Sequence, residues 1–524
     1  MKPTQPPSST DTGTSSTQPS DSSFKKLLIM MVARALIVFL AGLLAVVYAV
    51  HRHPQTVPAH QGIPSVPPPT ATPPKPASTS KPELADLEFP KKFFFGSAYS
   101  DFQTAGISET SDWYDYVNSF KPPQVGPGIA NDLFHRYKED FDAASQIGIQ
   151  VHRISLEWSR IEPQEGVWDR NVVKQYRDIF RYMKRRGIEP MICLNHFPLP
   201  QWFTDDGGWE NPQAPDYYAS YASFVAKEIG IPLKIHWWLT FNEPQFSVLI
   251  PYGKGDWPPY KTVEGLQDTA GINRFFVVGS RILDGHRMAY RAIHGVMDRH
   301  VKNVAVGFAS ATGTFYPADP NSPLDRMASN AYNVFYGTLL DYAVGRSDRD
   351  FIGINYYGRS RLKLHMSVGQ QIKAWLTDDK PFVIEWLNER SNQKDARPKE
   401  FYPDGLYDLI TRFKVLGLPI VVTENGIDDN SDHYREEFIT IHLKAILDAI
   451  RDGANVIGYQ YWALTDTWEP GDGRFSQMGL VKIDRDNDLQ RSIRPSARTY
   501  ADIIKTHTLS KELQQKYRTS LPVK

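Results

Sequence analysis

VHRISLEWS (151–159), NVVKQYRDIFRYMKRRG (171–187) and EPMICLNHF (189–197) follow one another in the chain, and their succession decides the fold. A short β-rich run is followed by an amphipathic helical pattern that closes on Gly187, a helix stop, and a second β-rich run begins almost at once. The same unit recurs in both directions. FFFGSAYS (93–100) lies upstream, and HWWLTFNE (236–243), NVAVGFAS (303–310), DFIGINYY (350–357), PIVVTENG (419–426) and VIGYQYWAL (456–464) lie downstream. Helical patterns such as HRYKEDFDAASQIG (135–148) and EEFITIHLKAILDAIRDG (436–453) separate most of them, again ending on glycine. Eight strand–helix units in one run predict an α/β fold, a single (β/α)8 barrel over residues 87–508, rather than two doubly wound domains. The competing open α/β sheet lacks a Gly-rich G-x-G-x-x-G turn after its first strand.

The remainder of the 524 residues divides by composition. Residues 1–24 are almost all Ser, Thr, Pro, Gln and Asp and read as a disordered cytoplasmic tail. Residues 25–52 read as a transmembrane anchor, because LLIMMVARALIVFLAGLLAVVYAV (27–50) is apolar except for Arg34 and long enough to cross a bilayer core of about 30 Å. Lys25, Lys26 and Arg34 place the N-terminus in the cytoplasm and the barrel outside it, although His51, Arg52 and His53 weaken that asymmetry. A cleaved signal peptide is the rival reading, since Val47-Tyr48-Ala49 resembles a cleavage site. Residues 53–86 form a Pro-rich linker suited to holding a domain away from a membrane surface, and 509–524 a C-terminal tail. Lys+Arg 59 balance Asp+Glu 59, so no basic footprint for nucleic acid is present. A single cysteine, Cys193, excludes an intrachain disulfide framework and a Cys-rich zinc site, and its place in a strand makes it a core residue.

In such a barrel chemistry sits at the C-terminal strand ends. Gln103 lies just past the first strand, Arg153 in the second, His196 in the third, Asn242 and Glu243 in the fourth, Asn355 and Tyr357 in the sixth, Glu424 in the seventh, and Trp462 with Glu469 at the eighth. Glu243 and Glu424 would face each other across the mouth, where two carboxyls can flank a glycosidic bond. Glycoside cleavage needs such a pair in unlike environments, one protonated to serve the leaving oxygen and one ionised. Arg153 could keep one carboxylate ionised and Tyr357 could donate to it.

TFNEP (240–244) and VTENG (422–426) resemble the two catalytic signatures of glycoside hydrolase family 1, the β-glucosidase family. FPKKFFFGSAYSDFQTAG (89–106), RISLEWSRIEP (153–163), HFPLP (196–200), GGWENP (207–212), DFIGINYYG (350–358) and YWALTDTWEPGDGRFSQMGLVKID (461–484) extend the resemblance along 89–508. It implies a retaining β-glycosidase acting by double displacement, with Glu243 as acid/base, Glu424 as nucleophile, and Arg153, Asn355 and Tyr357 supporting the nucleophile. It further implies that Gln103, His196, Asn242 and Glu469 bind sugar hydroxyls, that Trp462 stacks on the ring, and that neither metal nor organic cofactor takes part. The substrate would be a β-linked glycoside or a glycolipid, with the membrane reached through the N-terminal helix.

Three departures from the family pattern touch specificity. Q-x-E-G becomes Gln103-Thr104-Ala105-Gly106, H-W-D-L-P becomes HFPLP, and the tryptophan expected after Glu469 is Pro470. With the apolar N-terminal run, YPDGLYDLI (402–410), DFIGINYYG and GDWPPY (255–260) resemble the divergent branch that includes a plant galactolipid galactosyltransferase. That branch implies an alternative, a membrane-associated transglycosylase moving a sugar between glycolipids. A non-catalytic sugar-binding barrel is a third reading, but one catalytic glutamate would be expected to be missing and neither is. Asp428-x-Asn430-x-Asp432 begins like a calcium loop but lacks its glycine and closing glutamate, and reads as a polar loop.

Overall fold

The computed structural model describes residues 84–264, 268–337, 341, 344–365, 383–387 and 401–518. The expected tail (1–24), the anchor (25–52) and the linker as far as residue 83 lie outside the described residues. Among the described residues no helix is long and apolar enough to cross a membrane.

Eight parallel strands close into a barrel in chain order: β1 (Phe94–Tyr99), β2 (Val151–Ser155), β3 (Glu189–Asn195), β4 (Trp237–Asn242), β5 (Ala305–Ala311), β6 (Ile352–Asn355), β7 (Ile420–Asn425) and β8 (Val456–Trp462). Each falls within one of the eight runs expected to form strands, apart from the last residue of β5. β8 closes the ring on β1, with Gly458 opposite Phe94 and Trp462 opposite Ala98. Alternation along the strands separates two cores. Val151, Met191, Cys193, Leu239 and Val421 point inward and fill the barrel, so its interior is packed and not a pore. Ile154, Ile192, Leu194 and Val422 point outward into the larger core shared with the helices.

The helix between β2 and β3 shows how sequence builds this outer layer. Asp169 caps Arg170–Arg185 by accepting hydrogen bonds from the amides of Asn171 and Val172. Val173, Tyr176, Ile179, Phe180 and Met183 recur every three or four residues and form its buried stripe. The helix that leads into β2, Leu133–Ile147, stops at Gly148, whose φ of 88° costs an L-side chain strain that glycine avoids.

Several elements were not legible beforehand. Thr314–Pro317, Arg359–His365 and Val383–Leu387 make a three-stranded sheet, and Thr467–Glu469 pairs with Arg474–Ser476 in a hairpin. The stretch from 509, expected as a tail, instead continues the fold. Thr508–Leu509 pairs with Leu87–Glu88, and a helix spans Lys511–Lys516, with the buried Gln514 amide donating to the Ala85 carbonyl.

Gly426, directly after β7, ties the fold to its mouth. A Cβ there would lie 1.7 Å from the Trp462 carbonyl oxygen, so the ends of β7 and β8 can approach only because residue 426 has no side chain. Gly426→Ala is expected to lower unfolding free energy in urea titration by at least the ~1–3 kcal/mol of an overpacked site, because the atom it meets is backbone.

Candidate active site

The two glutamates reach the mouth through irregularities in their strands. On β4, Trp237 and Leu239 face the barrel interior, and the pairing with β5 shifts between Leu239 and Asn242. Thr240 contacts His286 of the outer helix Thr269–Met297 (2.7 Å), and Phe241 packs outward on Tyr218. Two successive side chains thus leave the interior and Asn242 returns to it, the re-aiming that a β-bulge produces. Glu243 follows in a left-handed conformation, φ 48°, immediately before Pro244 opens the next helix. Such a conformation at a non-glycine residue costs roughly 1–2 kcal/mol and is held here by the amide of Glu243 donating to the Ala309 carbonyl at 2.7 Å. On β7 the pairing with β6 shifts between Val422 and Glu424, so that Thr423 and Glu424 both turn inward beside Asn355.

Arg153, fully buried on β2, organises what these irregularities deliver. One guanidinium nitrogen donates to Glu424 Oε1 and the other to Asn242 Oδ1 at 2.9 Å. Tyr357 OH donates to Glu424 Oε2, so both oxygens of that carboxylate are held by donors. Asn355 Nδ2 donates to Asn242 Oδ1 (3.0 Å) and to Glu243 Oε1 (2.9 Å), while its own oxygen accepts from Thr423 Oγ1 at 2.7 Å. Because Asn242 Oδ1 already faces two donors, its amide nitrogen is the group turned to His196 Nε2, 3.1 Å away. The imidazole therefore accepts at Nε2 and carries its proton on Nδ1, and burial holds it well below its usual pKa and neutral.

The carboxyls sit in unlike environments. Burial, reinforced by the negative charge of Glu424, pushes the half-buried Glu243 carboxyl up to about 8. Glu424 is matched by the Arg153 cation and the Tyr357 hydroxyl. A third carboxyl, Glu469, is pushed by burial up to about 7, and its Oε1 accepts from Thr467 Oγ1 (2.8 Å) and Gln103 Nε2 (3.2 Å). Trp462 lies against His196, ring centroids 5.7 Å apart, with the Arg153 guanidinium 5.4 Å from its ring.

Together these groups border a cavity of about 680 Å³. Gln103, His196, Asn242, Glu243, Tyr357, Glu424, Trp462 and Glu469 line it, while Arg153 and Asn355 lie beneath them. All ten residues singled out from the sequence thus meet at one end of the barrel. The supporting hydroxyls of Thr423 and Thr467 were not singled out, nor were Arg359 and Arg474 on the cavity wall, which come from the side sheet and the hairpin. Among the described residues no group of His, Cys, Asp and Glu is arranged to hold a metal ion.

The electrostatic dependence has a direct test. Glu243 is protonated at neutral pH and loses its proton as pH rises through about 8. Replacing Glu424 by Gln removes the neighbouring charge, so the Glu243 carboxyl should titrate at lower pH. Infrared or 13C-detected titration of the carboxyls in wild type and Glu424→Gln measures that shift, and an unchanged midpoint would refute the coupling.

The chain matches the family model described as glycosyl hydrolase family 1 over residues 85–344 and 338–509. It is 30% identical to the chloroplastic galactolipid galactosyltransferase of Arabidopsis thaliana over 70% of this chain, and spans 57% of that relative's length. It is 26% identical to the beta-galactosidase of Pyrococcus woesei, covering 82% of this chain and 99% of the relative. Among solved structures, the beta-glycosidase from Pyrococcus horikoshii superimposes with a TM-score of 0.71 at 29% identity, over 83% of this chain and 99% of its own. A closed eight-stranded barrel, two inward-turned glutamates and the family match agree: this chain belongs to glycosyl hydrolase family 1.

Proposed function

We propose that the protein is a retaining β-glycosidase, with Glu424 as nucleophile and Glu243 as acid/base. The observation that carries this reading is the electrostatic contrast in one cavity: Glu424 accepts from a buried cation and a phenol, while Glu243 beside it is pushed up to about 8. In the first step a Glu424 oxygen attacks the anomeric carbon, the bond to the glycosidic oxygen breaks, and that oxygen takes the Glu243 proton. The leaving group departs and a glycosyl ester remains on Glu424. Glu243, now ionised beside a carboxyl that no longer carries charge, takes a proton from the incoming hydroxyl. That hydroxyl attacks the anomeric carbon and releases Glu424, and two inversions restore the β configuration.

Water as the incoming group gives hydrolysis, whereas a glycolipid hydroxyl gives transfer. The similarity to a relative named as a galactolipid galactosyltransferase supports transfer as the second reading. The apolar run 27–50 supports a single-pass anchor with the barrel on the extracytoplasmic side. Presence of both glutamates in the cavity speaks against a non-catalytic barrel.

NMR of the first product formed from an aryl β-glycoside should show the β anomer; an initial α product would exclude the retaining route. Glu424→Gln should reduce turnover to background. Glu243→Gln should lower kcat by roughly 10²–10⁴-fold for poor leaving groups. It should still release an activated phenol in a burst, since that phenol needs no proton. Wild-type activity on poor leaving groups should fall as pH rises through about 8. Incubation with a neutral glycolipid, followed by product analysis, separates free sugar from a lengthened lipid head group.

A further inference from the structure

Beside the cavity mouth the barrel carries an aromatic and apolar rim that is only partly covered. Phe102, Trp113, Trp257 and Trp468 form its buried base. Tyr116 and Phe120 are half-buried over that base, with ring centroids 5.1 Å apart, and Tyr260, 53% exposed, lies 6.4 Å from Tyr116. Val125, 43% exposed, extends the rim. Its amide donates to Gly473 and its carbonyl accepts from Trp468 Nε1, both at 2.7 Å. Pro470, Gly471 and Asp472 of the same segment line the cavity, and Trp257 packs at 4.9 Å on Phe197, which lines it too. The rim and the cavity wall are therefore one surface.

We propose that this rim docks the barrel mouth on a lipid bilayer, so that the cavity receives the sugar head group of a glycolipid while its acyl chains stay in the membrane. The proposal rests on the glycosidase reading for its substrate. The exposed charges on segments 114–125 and 253–263 are Lys121, Lys254 and Lys261 against Asp115 and Asp256, nearly balanced. Apolar and aromatic insertion therefore supplies the attraction, and an uncharged lipid surface suffices. The chain enters the barrel at the opposite end, where Leu87–Glu88 precedes β1. The 31 residues from 53 to 83 can span at most about 100 Å when fully extended, more than the ~60 Å breadth of a globular body of this size. A mouth turned toward the bilayer is within that reach.

The chain has one cysteine, Cys193, and it is buried, so an introduced cysteine can be labelled selectively. Full-length Tyr260→Cys, Val125→Cys and Val415→Cys would carry an environment-sensitive dye. Val415, 73% exposed, follows the helix Pro403–Lys414 and precedes β7, at the end of the barrel away from the mouth. Each variant is reconstituted in phosphatidylcholine vesicles containing a neutral β-galactosyl diacylglycerol and nitroxide-labelled lipid. Strong quenching at 260 and 125 with little at 415 is expected; no quenching at 260, or equal quenching at 415, overturns the proposal. Val125→Asp combined with Tyr260→Asp should lower kcat/KM for the vesicle-borne glycolipid about tenfold and leave a soluble aryl glycoside unchanged. An equal loss on both substrates would also overturn it. Quenching needs no turnover, so inactivity toward every glycoside would sink the functional reading and leave the docking for quenching to decide.

Discussion

The buried ion pair between Arg153 and Glu424 is the interaction around which the rest of the mouth is arranged. Both side chains are almost wholly removed from water, and an ion pair there is stabilising only if the remaining donors and acceptors are also met. All but the buried Arg153 Nε are met by the site itself: Asn242 takes the second guanidinium nitrogen, Tyr357 takes the second carboxylate oxygen, and Asn355 links Asn242 to Glu243. The charge that remains on Glu424 then raises the proton affinity of Glu243. One pairing thus orients the Glu424 carboxylate and helps keep the Glu243 carboxyl protonated.

That pairing also explains why the strands are irregular where they are. Regular alternation on β4 would carry Leu239 inward, then Phe241, leaving Asn242 pointing to the helices. The shift before Asn242 inverts this order, and the one before Glu424 turns that carboxyl inward next to Thr423, which regular alternation already points to Asn355. Each irregularity gives up part of a ladder of backbone hydrogen bonds in exchange for a polar group aimed at the cavity.

The barrel was readable because its eight strands are short β-rich runs spaced by helices with clear stops, signals that survive without tertiary context. The ten candidate residues were readable for a related reason: each falls on a barrel strand or in a motif next to one, so barrel topology brings Arg153 and Glu424, 271 positions apart, to the same end of the barrel. Thr423 turns inward by plain alternation from Val421, but nothing in its residue type marks it as a donor to Asn355; it is the inward turn of the next residue, Glu424, that depends on a shift in register. Arg359 and Arg474 escaped for another reason. They sit on a side sheet and a hairpin that lie outside the repeating succession of strand and helix. Beyond 508, where a tail is expected, Gln514 is buried and hydrogen-bonded to backbone carbonyls, contacts that composition does not reveal.

Closure of β8 on β1 has a consequence for how the protein is made. β1 ends at Tyr99 and its second neighbour begins only at Val456, so more than half of the chain must emerge before that edge is covered. Until then Phe94–Tyr99 presents a row of unpaired amides and carbonyls to any other strand nearby, a template for association between nascent chains. The distance between those two strands makes the barrel a slow, non-local closure, and during synthesis its first edge is exposed longest.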